Sequence, residues 1–330
     1  MNNTSGNISA ALPTAHWSPA PTFTLVVFCT ALTFNLTVLA VFLFRRSLRG
    51  AFQLYIQHLL VVNIVYLLLQ NPLDVLHNLY AARWRWGYTA CTVYLYANHV
   101  SEALVIHAHM LITVNRVWAV AAPIHYRHHH RPWVAAVLCG CALIWVHICL
   151  LPGVVLDALF YRLSIELHGC ELNGGKQKSW FLIATFLNYN IPIAVMLLAY
   201  PFICYKRWQR EHAGNAVRPV PAITVQSSDT HSLSSVKIPP LQRSRSHPPR
   251  GRTHSFVLLS LLTCSVAVNW IPIQVYYTAI LFTDADLSRL FHVGTVLWSL
   301  QAALDPLYFT VVFTDIRRVF ATVSAAFKRL

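Results

Sequence analysis

Charge is what this sequence has least of. Lysine, arginine, aspartate and glutamate make up 11% of the 330 residues, while 56% are hydrophobic. A soluble domain usually carries about twice that charged share. The chain is therefore too apolar for a core inside a polar shell, and it must turn apolar surface toward lipid. No Cys-x-x-Cys pair occurs among the eight cysteines, and most lie in apolar runs, where cysteine is ordinarily a small buried residue. No nucleophile–base signature or metal-ligand spacing stands out, which argues against an enzyme and against a cofactor or metal. The triplet His128-His129-His130 reads as a solvated basic loop, because three adjacent side chains diverge and lack a second shell. No internal repeat is visible, so the inverted-repeat plan of many transporters finds no support. A cleavable signal peptide is missing too. Residues 1–21 are polar and hold no Lys or Arg, and the first apolar run, 23–44, suits a span better than a leader.

What the chain does have is apolar length. Stretches at about 22–44, 52–80, 91–119, 132–153, 178–208, 253–282 and 289–312 each approach the ~20 residues a bilayer requires. Basic residues fix their direction. Eighteen Lys and Arg follow the odd-numbered spans, among them Arg45, Arg46, Arg131, Lys206, Arg207, Arg210, Arg317 and Arg318, against six on the other side. The net charge of +14 is thus a topology signal rather than a nucleic-acid footprint, and it puts the N-terminus outside. The sequons at Asn2, Asn3 and Asn7 fall in that outer tail; the match at Asn35 lies within the first span. Residues 209–251, rich in Ser, Pro, Arg and His, cannot bury apolar area and are expected to be disordered. Past the seventh span, Ile316, Val319, Phe320, Val323 and Phe327 recur at helical spacing and predict an amphipathic helix on the inner leaflet.

Ordered motifs run through these spans. The third ends in Asn115-Arg116-Val117, with Pro123 and Ile124 following. Trp84-Arg85-Trp86-Gly87 precedes it, the fifth carries Pro192 and Tyr200, and the sixth carries Asn269-Trp270-Ile271-Pro272. The seventh ends in Asp305-Pro306-Leu307-Tyr308-Phe309. Together these resemble the Asp-Arg-Tyr, Trp-x-Phe-Gly, Cys-Trp-x-Pro and Asn-Pro-x-x-Tyr elements of rhodopsin-family G-protein-coupled receptors. The resemblance implies an all-α membrane protein: a seven-transmembrane-helix bundle with a short amphipathic eighth helix. It also implies a disulfide between Cys91 and Cys170, an extracellular ligand, a heterotrimeric G protein as partner, and arrestin and receptor kinases beyond it. On this reading 1–21 is a glycosylated extracellular tail, 22–313 the receptor domain at the plasma membrane, and 314–330 the amphipathic helix and short tail.

Several positions depart from the family pattern. Asn115 replaces the acid that would pair with Arg116, and Arg252 stands where some members place a second acid. Both brakes on the resting state are therefore missing, while Phe309 lacks the hydroxyl that would bridge toward Tyr200 and support the active one. The prolines Pro192, Pro272 and Pro306 free backbone carbonyls and permit bends, with Trp270 as a lever beside Pro272. A polar core of Asn35, Asn63 and Asp305 carries its acid on the seventh span instead of the second.

For the ligand, Asn98 and Glu102 share one helical face. Asn98 takes the place of the aspartate with which amine receptors hold an ammonium, which leaves Glu102 or Asp74 as the available acid. His99, Asn188, Trp270, Gln274, Tyr277 and Thr295 are the other candidate contacts, a lining suited to a small polar molecule or short peptide. An opsin is disfavoured, since 289–312 contains no lysine. The alternatives are a decoy seven-helix receptor without signalling and, more remotely, a transporter.

Overall fold

The computed structural model describes residues 15–45, 48, 50–80, 84–215, 250–283 and 285–327, and among these it is a helical bundle without strands. Its spans are Pro19–Phe44, Ala51–Leu79, Gly87–Ala121, Pro132–Tyr161, Lys178–Arg210, Val257–Ala279 and Ser288–Val312. A bilayer leaves backbone N–H and C=O groups no water to bond, so each segment satisfies them within its own helix. Proline opens the first and fourth spans, where a missing N–H costs nothing. The first six spans are apolar enough to cross a membrane alone; the seventh meets that measure only together with the helix that follows it, because it carries Gln301 and Asp305 inward.

The third span sits deepest. It has the largest buried share and the fourth the smallest, and it packs against the second, fourth and fifth. Its polar residues therefore face protein, while Ile144, Ile148 and Leu198 of the fourth and fifth stand exposed, as lipid-facing positions would. The first span packs on the second and seventh, and the sixth on the seventh. At Gly294 an added Cβ would fall 2.9 Å from the backbone of Ile273, so the sixth and seventh spans touch there through main chain alone.

Cys91 and Cys170 form a disulfide with Cα atoms 5.5 Å apart, packed against Trp84, Leu95 and Ile165. It ties the start of the third span to the connection after the fourth. The turn before it requires glycine: Gly87 has φ +76°, accessible without strain only where there is no Cβ, and its carbonyl accepts from the Trp84 indole at 2.9 Å. Nearby, Asp157 pairs with Arg162 and accepts the Asn173 backbone N–H at 3.0 Å. The sixth span breaks at Trp270 into Arg250–Asn269 and Ile271–Ala279, since Pro272 has no N–H to return to the preceding turn.

One expectation changes at its edges. The segment expected to be disordered from 209 to 251 is helical at both ends, since the fifth helix runs to Asn215 and the sixth begins at Arg250. No proline interrupts 202–217, so the helix continues past the apolar run. Residues 216–249 lie outside the described residues, as do the sequons at Asn2, Asn3 and Asn7 and the side chain of Arg252. Thr314–Phe327 forms the amphipathic helix after a sharp bend.

Candidate functional site

Three polar layers lie along the third span. The layer nearest the disulfide is a cavity of about 30 Å³, room for about two ordered waters. Asn98, His99, Glu102, Thr185, Gln274 and Tyr277 line it, with aromatic walls from Trp180, Phe181 and Tyr189. Two π-helical turns, Ala97–Ser101 and Phe186–Asn190, shape the backbone on either side. The turns insert a residue into the helical register and re-aim side chains. Tyr189 donates from its hydroxyl to the His99 carbonyl at 2.7 Å, and Gln70 donates to Asn98 Oδ1 at 3.2 Å. Glu102 is 6% exposed and forms no hydrogen bond or ion pair with any described residue.

The structure separates the other ligand candidates from this cavity. Asp74 does not line it; its Oδ1 accepts from the Tyr94 hydroxyl at 2.8 Å. Thr295 turns its hydroxyl back to the Phe291 carbonyl. Asn188 donates to the Ala184 carbonyl one turn away and is fully buried. Trp270 lies outside the cavity lining and packs edge-on against Trp298.

The middle layer centres on Asp305. It accepts from Asn63 Nδ2 at 2.9 Å and contacts His109 Nε2 at 3.1 Å on Oδ2, and it accepts from Gln301 Nε2 at 2.6 Å on Oδ1. Asn35 joins through Asn63 at 3.4 Å and donates to the Ala302 carbonyl at 2.7 Å. Gln301 in turn accepts from Ser265 and Asn269, and Tyr308 donates to Ser265 at 3.2 Å. The network couples the first, second, third, sixth and seventh spans. Sequence reading found Asn35, Asn63 and Asp305 but missed His109, Gln301, Ser265, Asn269 and Tyr308. A helical-face count from Arg116 back through His109 to Glu102, seven residues at each step, was the available signal.

At the far end, Asn115 has acquired partners of its own. Tyr126 donates to its Oδ1 at 3.2 Å, and its Nδ2 lies 2.8 Å from His130 Nε2. Both partners belong to the connection after the third span, which begins with the helix Pro123–His129 and carries Ile124 outward at 86% exposure. His130 stacks on Tyr126 with ring centres 4.3 Å apart. Burial pushes the His130 imidazole below its usual range, and the Arg116 guanidinium adds to the effect. Arg116 itself lies over the Phe52 ring, 3.2 Å from its centre, a cation–π contact that replaces an acid. Arg210 donates to the Val120 carbonyl at 2.6 Å and holds the fifth span to the third. Tyr200 receives the Ser260 hydroxyl at 3.4 Å, while Phe309 is fully buried.

A family profile described as "7 transmembrane receptor (rhodopsin family)" matches residues 34–309. This chain belongs to that family. The receptor is 25% identical over 192 residues to the G-protein coupled receptor homolog FPV206 of Fowlpox virus (strain NVSL), covering 55% of this chain and 60% of the viral one. It is 24% identical over 231 residues to the Histamine H4 receptor of Homo sapiens, covering 69% and 57%. Proteinase-activated receptor 3 of Bos taurus is 23% identical over 223 residues, covering 63% and 57%. The matched region thus spans about 57–60% of the length of these relatives. The names of these relatives point to different ligands, so membership fixes the family and not the ligand.

Proposed function

We propose that the receptor lies in the plasma membrane with its N-terminus outside. In this reading it binds a small polar molecule or short peptide in the cavity beside Glu102 and activates a heterotrimeric G protein by an outward swing of the Arg250–Asn269 half of the sixth span. One observation carries the proposal. The cavity and Arg116 stand on one continuous span, and the broken sixth span runs alongside both. Glu102 and Arg116 are fourteen residues apart, about 21 Å. Gln274 and Tyr277 of the outer half line the cavity, so a ligand there bears directly on the break at Trp270. A carboxylate or amide in the cavity can anchor a polar group. The exposed Pro123–His129 helix and Arg116 supply the surface a G protein would meet.

The test is a screen of ligand pools on cells expressing the full chain, with G-protein dissociation as readout. A ligand response lost on filling the cavity through Ala184→Phe supports the reading. Well-expressed receptor with neither ligand-dependent nor ligand-free activation overturns it in favour of a decoy. A specific feature favours that second reading: Asn115 is sealed by Tyr126 and His130, and Phe309 lacks the family hydroxyl.

A further inference from the structure

Three acids are buried in the bundle and a fourth, Asp74, is half-buried; all but one of the four are satisfied internally. Asp74 accepts from Tyr94, Asp157 from Arg162 and Asn173, and Asp305 from Asn63 and Gln301, with His109 alongside. Glu102 is the exception. It is 6% exposed, lines the cavity, and has no hydrogen bond or ion pair among the described residues. On the same cavity, Gln274 Oε1 is a second buried acceptor with no donor. Leaving buried polar groups unmet is costly, and a carboxyl group in such a place ionises at little cost only when a cation arrives to pair with it. Such a site asks for a ligand rich in N–H donors.

We infer that the receptor's ligand presents a compact primary or secondary ammonium group, with Glu102 as its counter-ion and Gln274 as its second acceptor. The inference rests on the reading of this cavity as the ligand site. A primary ammonium carries three donors, enough for both unmet acceptors, whereas a quaternary one carries none. Trp180, Phe181, Tyr189 and Tyr277 put aromatic rings on the walls, and ring faces attract an organic cation. An anionic ligand would meet Glu102 with like charge. Asn98 does not compete as acceptor, since its Oδ1 already receives Gln70. At about 30 Å³ the cavity has room for a compact ammonium head group, and the rest of the ligand would lie outside it.

Thermal unfolding of the purified full-length receptor in nanodiscs tests this with four probes at about 1 mM, the weak end of measurable affinity. They are 2-phenylethylammonium, its trimethylated quaternary analogue, uncharged 3-phenylpropanol, and 3-phenylpropionate. We expect the primary ammonium to raise the midpoint most, with affinity falling by about tenfold or more in Glu102→Gln and the effect vanishing in Ala184→Phe. Glu102→Gln keeps the side chain's shape, and Gln274→Leu gives an independent second loss. If 3-phenylpropanol stabilises as well as the ammonium, with sensitivity to Ala184→Phe but not to Glu102→Gln, the cavity reading survives and the ammonium inference falls. Ammonium binding untouched by either variant overturns both. No stabilisation by the ammonium overturns the inference.

Discussion

At each end of the third span an asparagine stands where related receptors carry an acid, amine receptors at the cavity end and the family motif at the other, and the surroundings of the two differ. At the cavity end Asn98 stands in its place, and a carboxylate reappears one turn deeper at Glu102, without a partner among the described residues. At the other end Asn115 stands in its place and no acid reappears. Asn115 is instead closed off by Tyr126 and His130, and Arg116 lies on Phe52. One end keeps a carboxyl group without a partner among the described residues; the other closes over its asparagine with its own connecting segment. The same substitution, acid to asparagine, has opened one site and sealed the other.

The strongest way to break this contrast is to unfasten the cavity end. Cys91→Ser should cut cell-surface receptor several-fold in an antibody-binding assay, because loss of such a bridge costs about 2–5 kcal/mol. Asn115→Ala at the sealed end should leave surface level near normal. Equal losses would show that the two ends are not independent. Next in size is restoring the acids at the sealed end. The double variant Asn115→Asp, Arg252→Glu should lower ligand-free G-protein activation at matched surface density. A charge-assisted contact to Arg116 is worth about 1.5–3 kcal/mol, so the fall should reach severalfold or more. Unchanged, measurable basal signals would mean that the neutral seal already holds the resting state as well as a charged one.

A smaller effect is expected from His130→Ala, which removes one neutral hydrogen bond to Asn115, worth about 0.5–1.5 kcal/mol. Basal nucleotide exchange should rise between two- and tenfold, and a fall would show that His130 supports the active state. The smallest effect is a pH dependence at the same residue. His130 accepts from Asn115 through a neutral nitrogen, and its affinity for a proton is lowered from the usual 6.5, by burial first and by Arg116 second. A lowered histidine contributes its contact fully above 6.5 and loses it as pH falls through the lower value. The groups facing it are Asn115, Arg116 and Trp118 of the third span, Tyr55 of the second and Tyr126 of its own segment. Basal exchange in open membranes should therefore climb between pH 7 and pH 5.5, and His130→Gln should flatten the climb.

Much of the architecture was legible in the sequence because it depends on local properties. Apolar run length marked the spans, and the family resemblance implied the bridge between Cys91 and Cys170 that the structure contains. The period of Ile316, Val319 and Phe320 announced the terminal helix. The site was less legible because its decisions are made by distant partners. What sets Asp74 apart from Glu102 is Tyr94, twenty residues away, whose hydroxyl bonds that acid outside the cavity. His109 looked like one more histidine on an inward face, and only folding brings it 3.1 Å from Asp305, 196 residues away. Nothing in Asn115 itself announces that a histidine fifteen residues later will cap it.

The break at Trp270 divides the sixth span into a lever with unequal arms. The arm beside the cavity, Ile271–Ala279, has 9 residues and measures about 14 Å, while Arg250–Asn269 has 20 and measures about 30 Å. Gly294 holds the short arm against the seventh span through backbone contact at Ile273, and Ser265 and Asn269 tie the near end of the long arm to Gln301 of the same span. For a rigid tilt about that fulcrum, each ångström gained at the tip of the short arm becomes about two at the tip of the long one. In the proposed activation, a cavity too small to reorganise by much would still deliver a displacement of useful size beside Arg116.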